Sequence, residues 1–290
     1  MKGVVVLDRH TAETYAGWFR ALADPTRVQI LNLLTSTGSP MTVGQIVERV
    51  DVGQSTVSAH LRILTEARDS GRLPEIVAFS AEGARHPLAA EIIAATEAAG
   101  GDAILTTPDI LTKMSGKDNP QMLLGAYRQP PTELAAIDRS KAPLWIVAQA
   151  LRDPGNIGTI LRTGDAVGAG GLILVDDCAD PFSVEAVRAS MGALFTQRVA
   201  TARWPEFVEW LRSGPGKLVG TSLKTEHDYL APNYEQPCFL LVGNEQQGLP
   251  AEYEVECDLL VKIPMAGRAD SLNAAMATAI MAFAIKASWR

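Results

Sequence analysis

The stretch that decides the fold is residues 144–164, LWIVAQALRDPGNIGTILRTG. Its continuous apolar run, Leu144–Ala148, predicts a strand that is buried on both faces, as the strands of parallel sheets are. The polar, glycine-containing run that follows this strand, Asp153–Gly164, opens a predicted helix over Gly155–Val167. A buried strand followed at once by a helix is the repeating unit of an α/β fold.

The same alternation continues through residues 143–290. Further predicted strands are Leu172–Val175, Lys217–Gly220, Phe239–Val242 and Leu259–Ile263. Predicted helices are Gly155–Val167, Val184–Met191, Trp204–Arg212 and Leu272–Lys286. Because nearly continuous apolar strands separated by helices form sheets covered on both faces, residues 143–290 are predicted to be an α/β domain with a mostly parallel sheet.

Two smaller units precede this domain. Residues 72–138 are predicted to form a small αβ domain, which a proline-containing linker at 128–143 joins to the next unit. Its predicted elements are the strands Ile76–Phe79, Ala103–Leu105 and Met122–Tyr127 and the helices Leu88–Ala99 and Pro108–Met114. Residues 1–70 are predicted to be all-α, with a turn at 51–54 between two short helices in the helix-turn-helix pattern.

Composition limits the class of protein. The chain has 290 residues, 47% of them apolar, which excludes intrinsic disorder. Its longest nearly apolar stretch, Ala274–Ile285, is shorter than the roughly 18 residues of a spanning helix. The first residues do not have the pattern of a signal peptide. Three cysteines form no CxxC pair, so we expect a cytoplasmic protein without a membrane segment, a disulfide framework or a metal site.

The net charge of −7 argues against general nucleic-acid binding. Residues 1–70 carry equal numbers of acidic and basic groups, and both later units are net acidic. Contact with a nucleic acid would therefore rest on local arginines near the proposed site, namely Arg152, Arg162, Arg188, Arg198 and Arg268.

Three polar or glycine-rich loops are the candidates for chemistry. They lie at 153–164, 241–249 and 263–273, each after a predicted strand, and open α/β sheets bind ligands at the carboxyl ends of their strands. Each loop alone is also consistent with an ordinary turn or helix cap. None contains the GxxxxGK[ST] or GxGxxG pattern, which disfavours a P-loop and a dinucleotide-binding Rossmann oxidoreductase.

Together and in this order, the loops resemble the SpoU (TrmH-type) branch of the SPOUT RNA methyltransferases. The resemblance is carried by Asn156-Ile157-Gly158 with Arg162-Thr163, Gly243-Asn244-Glu245 with Gly248-Leu249, and Ile263-Pro264-Met265 with Ser271-Leu272-Asn273. It implies a trefoil knot in the C-terminal part of 143–290 and a homodimer. It also implies S-adenosylmethionine as methyl donor and a ribose 2′-hydroxyl of rRNA or tRNA as acceptor.

The resemblance also implies roles for individual residues. The cofactor would be bound by Thr221, Gly243, Ile263, Met265 and Leu272. The catalytic set around the reacting ribose would be Asn156, Arg162, Glu245, Ser271 and Asn273. Because a guanidinium is not deprotonated in proteins, we expect Arg162 to bind phosphate and stabilise the developing alkoxide rather than to act as a base.

The two smaller units have resemblances of their own. Residues 72–138 are similar to the small domain with which SpoU enzymes capture RNA. Residues 1–70 resemble the DNA-binding core of ArsR-type regulators through Ala21–Arg27 and Ser55–Leu61. The wing hairpin of that family does not follow, and residues 1–140 contain no cysteine for metal sensing. This helix-turn-helix segment is therefore predicted to contact DNA or RNA, or to serve in dimer packing.

Two functions remain as alternatives at this point. The first is S-adenosylmethionine-dependent 2′-O-methylation of rRNA or tRNA. The second is a transcriptional regulator, in which the ArsR-like unit binds DNA and the SPOUT unit serves for ligand binding or dimerisation.

Overall fold

The computed structural model describes residues 64, 67–115, 122–244, 248–267 and 271–289. The predicted helix-turn-helix segment, 1–70, lies almost entirely outside the described residues. Glu245 also lies outside them. Within the described ranges, no helix is long and apolar enough to cross a membrane.

A small mixed sheet forms between residues 76 and 126. Its three strands in the described part of the chain are β1 (Ile76–Phe79), β2 (Asp102–Leu105) and β3 (Leu123–Ala126), in the order β2-β1-β3. Strand β1 pairs in parallel with β2 and antiparallel with β3. Helix α1 (Pro87–Ala98) lies against β1 and β2, and α2 (Pro108–Ser115) connects β2 to β3.

The main sheet contains six parallel strands among the described residues. They are β4 (Leu144–Gln149), β5 (Gly171–Val175), β6 (Arg198–Ala202), β7 (Lys217–Thr221), β8 (Cys238–Val242) and β9 (Leu259–Val261). Their order across the sheet is β6-β5-β4-β8-β7-β9. The mostly parallel sheet predicted from the apolar runs is confirmed.

Helices cover both faces of the main sheet. They are α3 (Pro154–Val167), α4 (Val184–Ser190), α5 (Trp204–Arg212), α6 (Ala251–Glu254) and α7 (Ala274–Ala287). Successive residues of β4 point to opposite faces. Leu144 and Ile146 pack in one core with α3, α4 and α7, whereas Trp145 and Val147 pack in the other with Phe207 of α5. The apolar runs are continuous because both faces are buried.

The observed elements differ from the predicted ones in a few places. Strand β6, with the sequence RVATA, was not predicted, because only Val199 and Ala200 are buried in it. Helix α7 begins at Ala274 rather than Leu272, because the Asn273 side chain accepts hydrogen bonds from the first backbone N–H groups and so caps the helix.

The predicted linker is held in place by Arg139. Its guanidinium donates hydrogen bonds to the carbonyl oxygens of Trp210 and Leu211, the latter at 2.9 Å, and lies 4.0 Å from the centre of the Trp210 ring. A cation stacked on an aromatic ring and bonded to carbonyls near a helix C-terminus is stabilised by both. The linker is therefore packed against α5.

Helices α3 and α4 approach each other closely at Gly158. A Cβ atom at this position would lie 2.3 Å from the carbonyl oxygen of Ala186 and 2.6 Å from the Ala189 Cβ. The glycine therefore sets the distance between the helix that carries Asn156 and its neighbour on the same face of the sheet.

We expect Gly158→Ala to lower the free energy of unfolding by roughly 1–3 kcal/mol, because the added methyl group overpacks the α3–α4 contact. Thermal or urea unfolding of the variant measures this loss. Thr159→Ala, at the next and exposed position of α3, is the control and should change stability little. Equal stability of the Gly158 variant and the parent protein would contradict the close approach.

Candidate active site

A cavity of about 330 Å³ opens at the carboxyl ends of β7, β8 and β9. Its wall includes all five residues expected to bind a cofactor, which are Thr221, Gly243, Ile263, Met265 and Leu272. Thr221 ends β7, Gly243 follows β8 directly, and the other three come from the loop between β9 and α7. The parallel sheet thus brings together residues from three separate loops at the edge where such sheets bind ligands.

The wall of this cavity combines apolar and polar side chains. The apolar side chains include Val242, Leu249, Val261, Ala274 and Ala277. Polar or charged side chains are contributed by Ser222, Lys224, Asn244, Glu254, Lys262 and Ser271. Its volume and its mixed lining are typical of small-molecule sites.

The loop after β8 closes tightly on itself. Asn244 and Gly248 form an isolated antiparallel bridge, in which the Gly248 N–H donates to the Asn244 carbonyl at 2.9 Å. A Cβ at position 243 would lie 2.5 Å from the Gly248 backbone, so only glycine fits there. Residues 245–247 are outside the described ranges, so Glu245 stays a sequence-based expectation.

Asn244 joins this loop to the loop after β4. Its side-chain amide donates a hydrogen bond of 3.1 Å to the carbonyl oxygen of Ala150, whose own φ is +50°. Strands β4 and β8 are neighbours, so their loops leave the sheet side by side. This contact was not expected from the sequence, although Asn244 belongs to the motif that carried the resemblance.

Asn156 and Asn273 contact each other across the site. The Asn273 Oδ1 accepts hydrogen bonds from the backbone N–H groups of Ala275 and Met276, which leaves its Nδ2 to donate to the Asn156 Oδ1 at 3.0 Å. Asn156 lies in the first turn of α3, where Asp153 caps the helix. Two helix N-termini therefore meet at one pair of amide side chains.

The remaining expected catalytic residues are Ser271 and Arg162. Ser271 lines the cavity two residues before Asn273. Arg162 is exposed on α3, six positions after Asn156, and does not line the cavity. Because its side chain is exposed, its guanidinium can donate hydrogen bonds to a ligand at the surface.

The other arginines are placed less favourably for contact with a ligand at this edge. Arg152 forms an ion pair with Asp177, and Arg188 donates a hydrogen bond to the Ser115 carbonyl at 2.7 Å. The expectation that Arg198 lies near the site is wrong, because it begins β6 and so sits at the amino end of an edge strand. Arg268 is outside the described residues.

One charged group in the cavity wall was missed by the sequence analysis. The Ser222 hydroxyl donates to Glu254 Oε1 at 2.7 Å, and the Lys224 ammonium donates to Glu254 Oε2 at 3.0 Å. The hydrogen bond from Ser222, followed by that from Lys224, lowers the pKa of Glu254 although burial opposes this. Ser222 and Lys224 could have been suspected because they follow a predicted strand at its carboxyl end.

Glu254 is positioned by its neighbour Tyr253. The Tyr253 ring stacks on Trp204 with 3.8 Å between centroids and 5° between planes, and its hydroxyl donates to the Asp176 carboxylate. Asp176 also accepts a hydrogen bond of 3.0 Å from the Trp204 backbone N–H. These contacts fix the short helix α6 against the loops after β5 and β6.

Comparison with known proteins agrees with this geometry. Residues 143–283 match the model of the SpoU rRNA Methylase family. Residues 24–68 match that of the bacterial regulatory protein, arsR family, and lie almost entirely outside the described residues.

Two relatives named as 23S rRNA 2′-O-methyltransferases are similar over 63% of the chain. A 23S rRNA (uridine(2479)-2′-O)-methyltransferase of Streptomyces viridochromogenes is 36% identical over 63% of this chain and 67% of its own length. The 23S rRNA (guanosine(2553)-2′-O)-methyltransferase RlmP of Bacillus subtilis is 30% identical over 63% of this chain and 71% of its own.

Solved structures of methyltransferases are also similar to this chain. An AdoMet-bound rRNA methyltransferase from Sinorhizobium meliloti superposes with a TM-score of 0.72 and 38% identity, over 78% of this chain and 84% of the other. The SpoU methyltransferase AviRb from S. viridochromogenes, in complex with AdoMet, gives 0.71 and 29%, over 79% and 88%. The sheet, the cavity and these relatives together show that the chain belongs to the SpoU rRNA methylase family.

Proposed function

We propose that this protein transfers the methyl group of S-adenosylmethionine to a ribose 2′-hydroxyl of rRNA or tRNA. The observation that carries the proposal is the position of the Asn156–Asn273 pair. Its 3.0 Å hydrogen bond joins α3 to the segment that supplies Ser271 and Leu272 to the cavity wall. The relatives named as 23S rRNA 2′-O-methyltransferases support the same reaction and favour rRNA.

The cavity fits S-adenosylmethionine in size and in chemistry. Its apolar residues suit an adenine ring, and the loop backbones around Thr221, Gly243 and Ile263 offer N–H and carbonyl groups for polar contacts. The two superposed structures that contain AdoMet support this assignment. When bound, the cofactor supplies an electrophilic methyl group on a sulfonium.

The side chains around the acceptor orient the ribose for methyl transfer. Displacement at a sulfonium methyl group needs the attacking oxygen in line with the bond from the methyl carbon to the sulfur. Positioning of the ribose therefore contributes more to the rate than other catalytic effects. Asn156 and Asn273 are held by their mutual hydrogen bond and by helix caps on both sides. We therefore assign to this pair, with Ser271 and Glu245, the orientation of the ribose.

Arg162 acts on the RNA rather than on the cofactor. Its guanidinium is exposed and lies outside the cavity wall. A permanently protonated group cannot accept a proton, but it can bind the phosphate next to the target ribose and stabilise the developing alkoxide. This division assigns methyl-donor binding and RNA binding to different residues.

The topology supports a trefoil knot in the C-terminal part of 143–290. Strand β8 inserts between β4 and β7, and the chain after β9 returns as α7 to pack on α3. We further propose the boundaries 72–138 for an RNA-binding domain and 143–290 for the methyltransferase domain.

We also propose a homodimer. Helix α7 is apolar on all sides, and it exposes Met276 (58%) and Phe283 (53%), two turns apart on one face. A second copy covering this face would bury both side chains.

The arsR-family match favours a nucleic-acid contact by residues 1–70. We propose that this segment adds DNA or RNA contact to the methyltransferase. A regulator without methyltransferase activity is the weaker alternative, and sequence-specific duplex DNA retention without methylation would support it.

Arg162→Ala should lower methylation by roughly a hundredfold or more, because transition-state stabilisation is lost, while cofactor binding is retained. Transfer of tritium from labelled S-adenosylmethionine to bulk RNA measures the rate, and titration calorimetry measures cofactor binding. Asn156→Ala should also abolish the label in 2′-O-methyl nucleosides. Loss of cofactor binding in the Arg162 variant would contradict the division of roles.

Two substitutions distinguish the two roles of Asn273, which are to cap α7 through Oδ1 and to donate a hydrogen bond to Asn156 through Nδ2. Asn273→Ala removes both and should lower the free energy of unfolding by about 1 kcal/mol. Asn273→Asp keeps the cap but cannot donate to Asn156. Its free energy of unfolding should therefore equal that of the parent protein, whereas its methylation rate should be lower than that of the parent. Thermal unfolding and the tritium assay measure the two effects. Full activity of the Asp variant would show that the amide pair does not orient the ribose.

Phe283→Glu should convert a dimer to a monomer, because burying a carboxylate at an apolar interface is unfavourable. Sedimentation velocity measures the mass. Val255→Glu, at a position that is 81% exposed and outside α7, is the control and should leave the dimer intact. A parent protein that is monomeric at micromolar concentration would contradict the proposed dimer.

A further inference from the structure

One side of the cavity carries an ionised cluster that the proposed reaction does not use. Ser222, Lys224 and Glu254 all line the cavity, and their side chains are joined by hydrogen bonds of 2.7 and 3.0 Å. The Glu254 side chain is only 13% exposed, whereas that of Lys224 is 68% exposed. A carboxylate kept in the wall of a binding cavity has lost much of its water and needs partners there.

The backbone holds this cluster in one arrangement. Ser222 follows β7, and its N–H donates to the Val261 carbonyl at 3.0 Å. The Ser222 hydroxyl accepts from the Lys224 backbone N–H at 3.1 Å, so its own proton is committed to Glu254. On the other side, the stack of Tyr253 on Trp204 fixes α6. The carboxylate is therefore oriented before any ligand arrives.

The carboxylate of Glu254 still has acceptor capacity. Among the described residues, each oxygen accepts one side-chain hydrogen bond, from Ser222 at Oε1 and from Lys224 at Oε2, while a carboxylate accepts about four hydrogen bonds. Because both partners favour the charged form, the group stays ionised and has no proton to donate. A ligand group that meets Glu254 in the cavity must therefore donate.

S-adenosylmethionine has two kinds of strong donor on its flexible part, the ribose hydroxyls and the α-ammonium. The Lys224 ammonium already lies on the carboxylate and would repel a second ammonium beside it. Two neutral vicinal hydroxyls meet no such repulsion, and a carboxylate can accept from both. The charge arrangement therefore selects the ribose.

The location of Glu254 agrees with a contact to a non-reacting part of the cofactor. Its partners Ser222 and Lys224 follow β7, whereas Asn156 follows β4, and β8 lies between these strands. Two strand spacings correspond to roughly 10 Å. Ser222 and Lys224 therefore come from a different part of the sheet edge than Asn156.

We propose that Glu254 binds the two ribose hydroxyls of S-adenosylmethionine, with Ser222 and Lys224 holding its carboxylate in place. This inference takes the cofactor from the proposed function. It makes Glu254 a cofactor-positioning residue, and it gives a function to a cluster that no motif of the sequence indicated.

The test compares two ligands on two variants by titration calorimetry. S-adenosylhomocysteine has both kinds of donor, the ribose hydroxyls and the α-ammonium. 5′-Methylthioadenosine keeps the adenosine, with its ribose hydroxyls, but lacks the amino-acid group. Glu254→Gln should weaken both ligands by a similar factor, about tenfold or more, since a charge-assisted hydrogen bond is lost. Glu252→Gln, on the same short helix but outside the cavity wall, should change neither.

A loss for S-adenosylhomocysteine alone would show that Glu254 binds the ammonium and would overturn the proposal. Unchanged binding of both ligands would overturn it as well. A second measurement needs no variant: 2′-deoxy and 3′-deoxy forms of 5′-methylthioadenosine should bind the parent protein more weakly than 5′-methylthioadenosine itself. Equal binding of all three would contradict the hydroxyl contact.

The same experiments distinguish this inference from the proposed function. A parent protein that binds these ligands but methylates no RNA contradicts only the proposed function, because the Glu254 comparison depends on binding alone. A parent protein that binds neither ligand contradicts both.

Discussion

The backbone hydrogen bonding between β4 and β8 is the interaction on which the rest of the structure depends. Leu144 pairs with Cys238 and Ala148 with Val242, so two strands far apart in the chain end side by side. Both strands are buried on both faces, and a shift of one residue would turn every core side chain to the other face. The contact of Asn244 with Ala150 follows from this register. Asn156 meets Asn273 because α3 and α7 pack together on one face of the same sheet.

The acidity of the chain and an RNA substrate are compatible because the relevant charges act at short range. Arg162 is exposed on α3, the helix that carries Asn156, whereas Arg152 and Arg212 form ion pairs with carboxylates. Long-range attraction to RNA is weak for a chain with a net charge of −7. Such a protein gains its affinity from a few local contacts, and its non-specific binding depends only modestly on salt.

The sequence predicted the strands that are buried on both faces, because an apolar run is itself the signal of such a strand. It missed β6, in which exposed Arg198 and Thr201 interrupt the run. The cofactor residues came from the resemblance to SpoU enzymes and not from periodicity. Glu254 could not be found in either way, because its contact with Ser222 and Lys224 joins a four-residue helix to a distant loop and exists only in the folded chain.

The parallel sheet has one more consequence, for how the chain responds to a bound ligand. The cavity wall is built largely from segments at the carboxyl ends of β7, β8 and β9, so it exists only when these strands are assembled in the sheet. Any molecule that binds in the cavity therefore stabilises the folded sheet against unfolding, because it binds the folded state and not the unfolded chain. Amide hydrogens in the middle of β4, which line no part of the cavity, would then exchange with solvent more slowly, as protection by the ligand spreads through the cooperative unit.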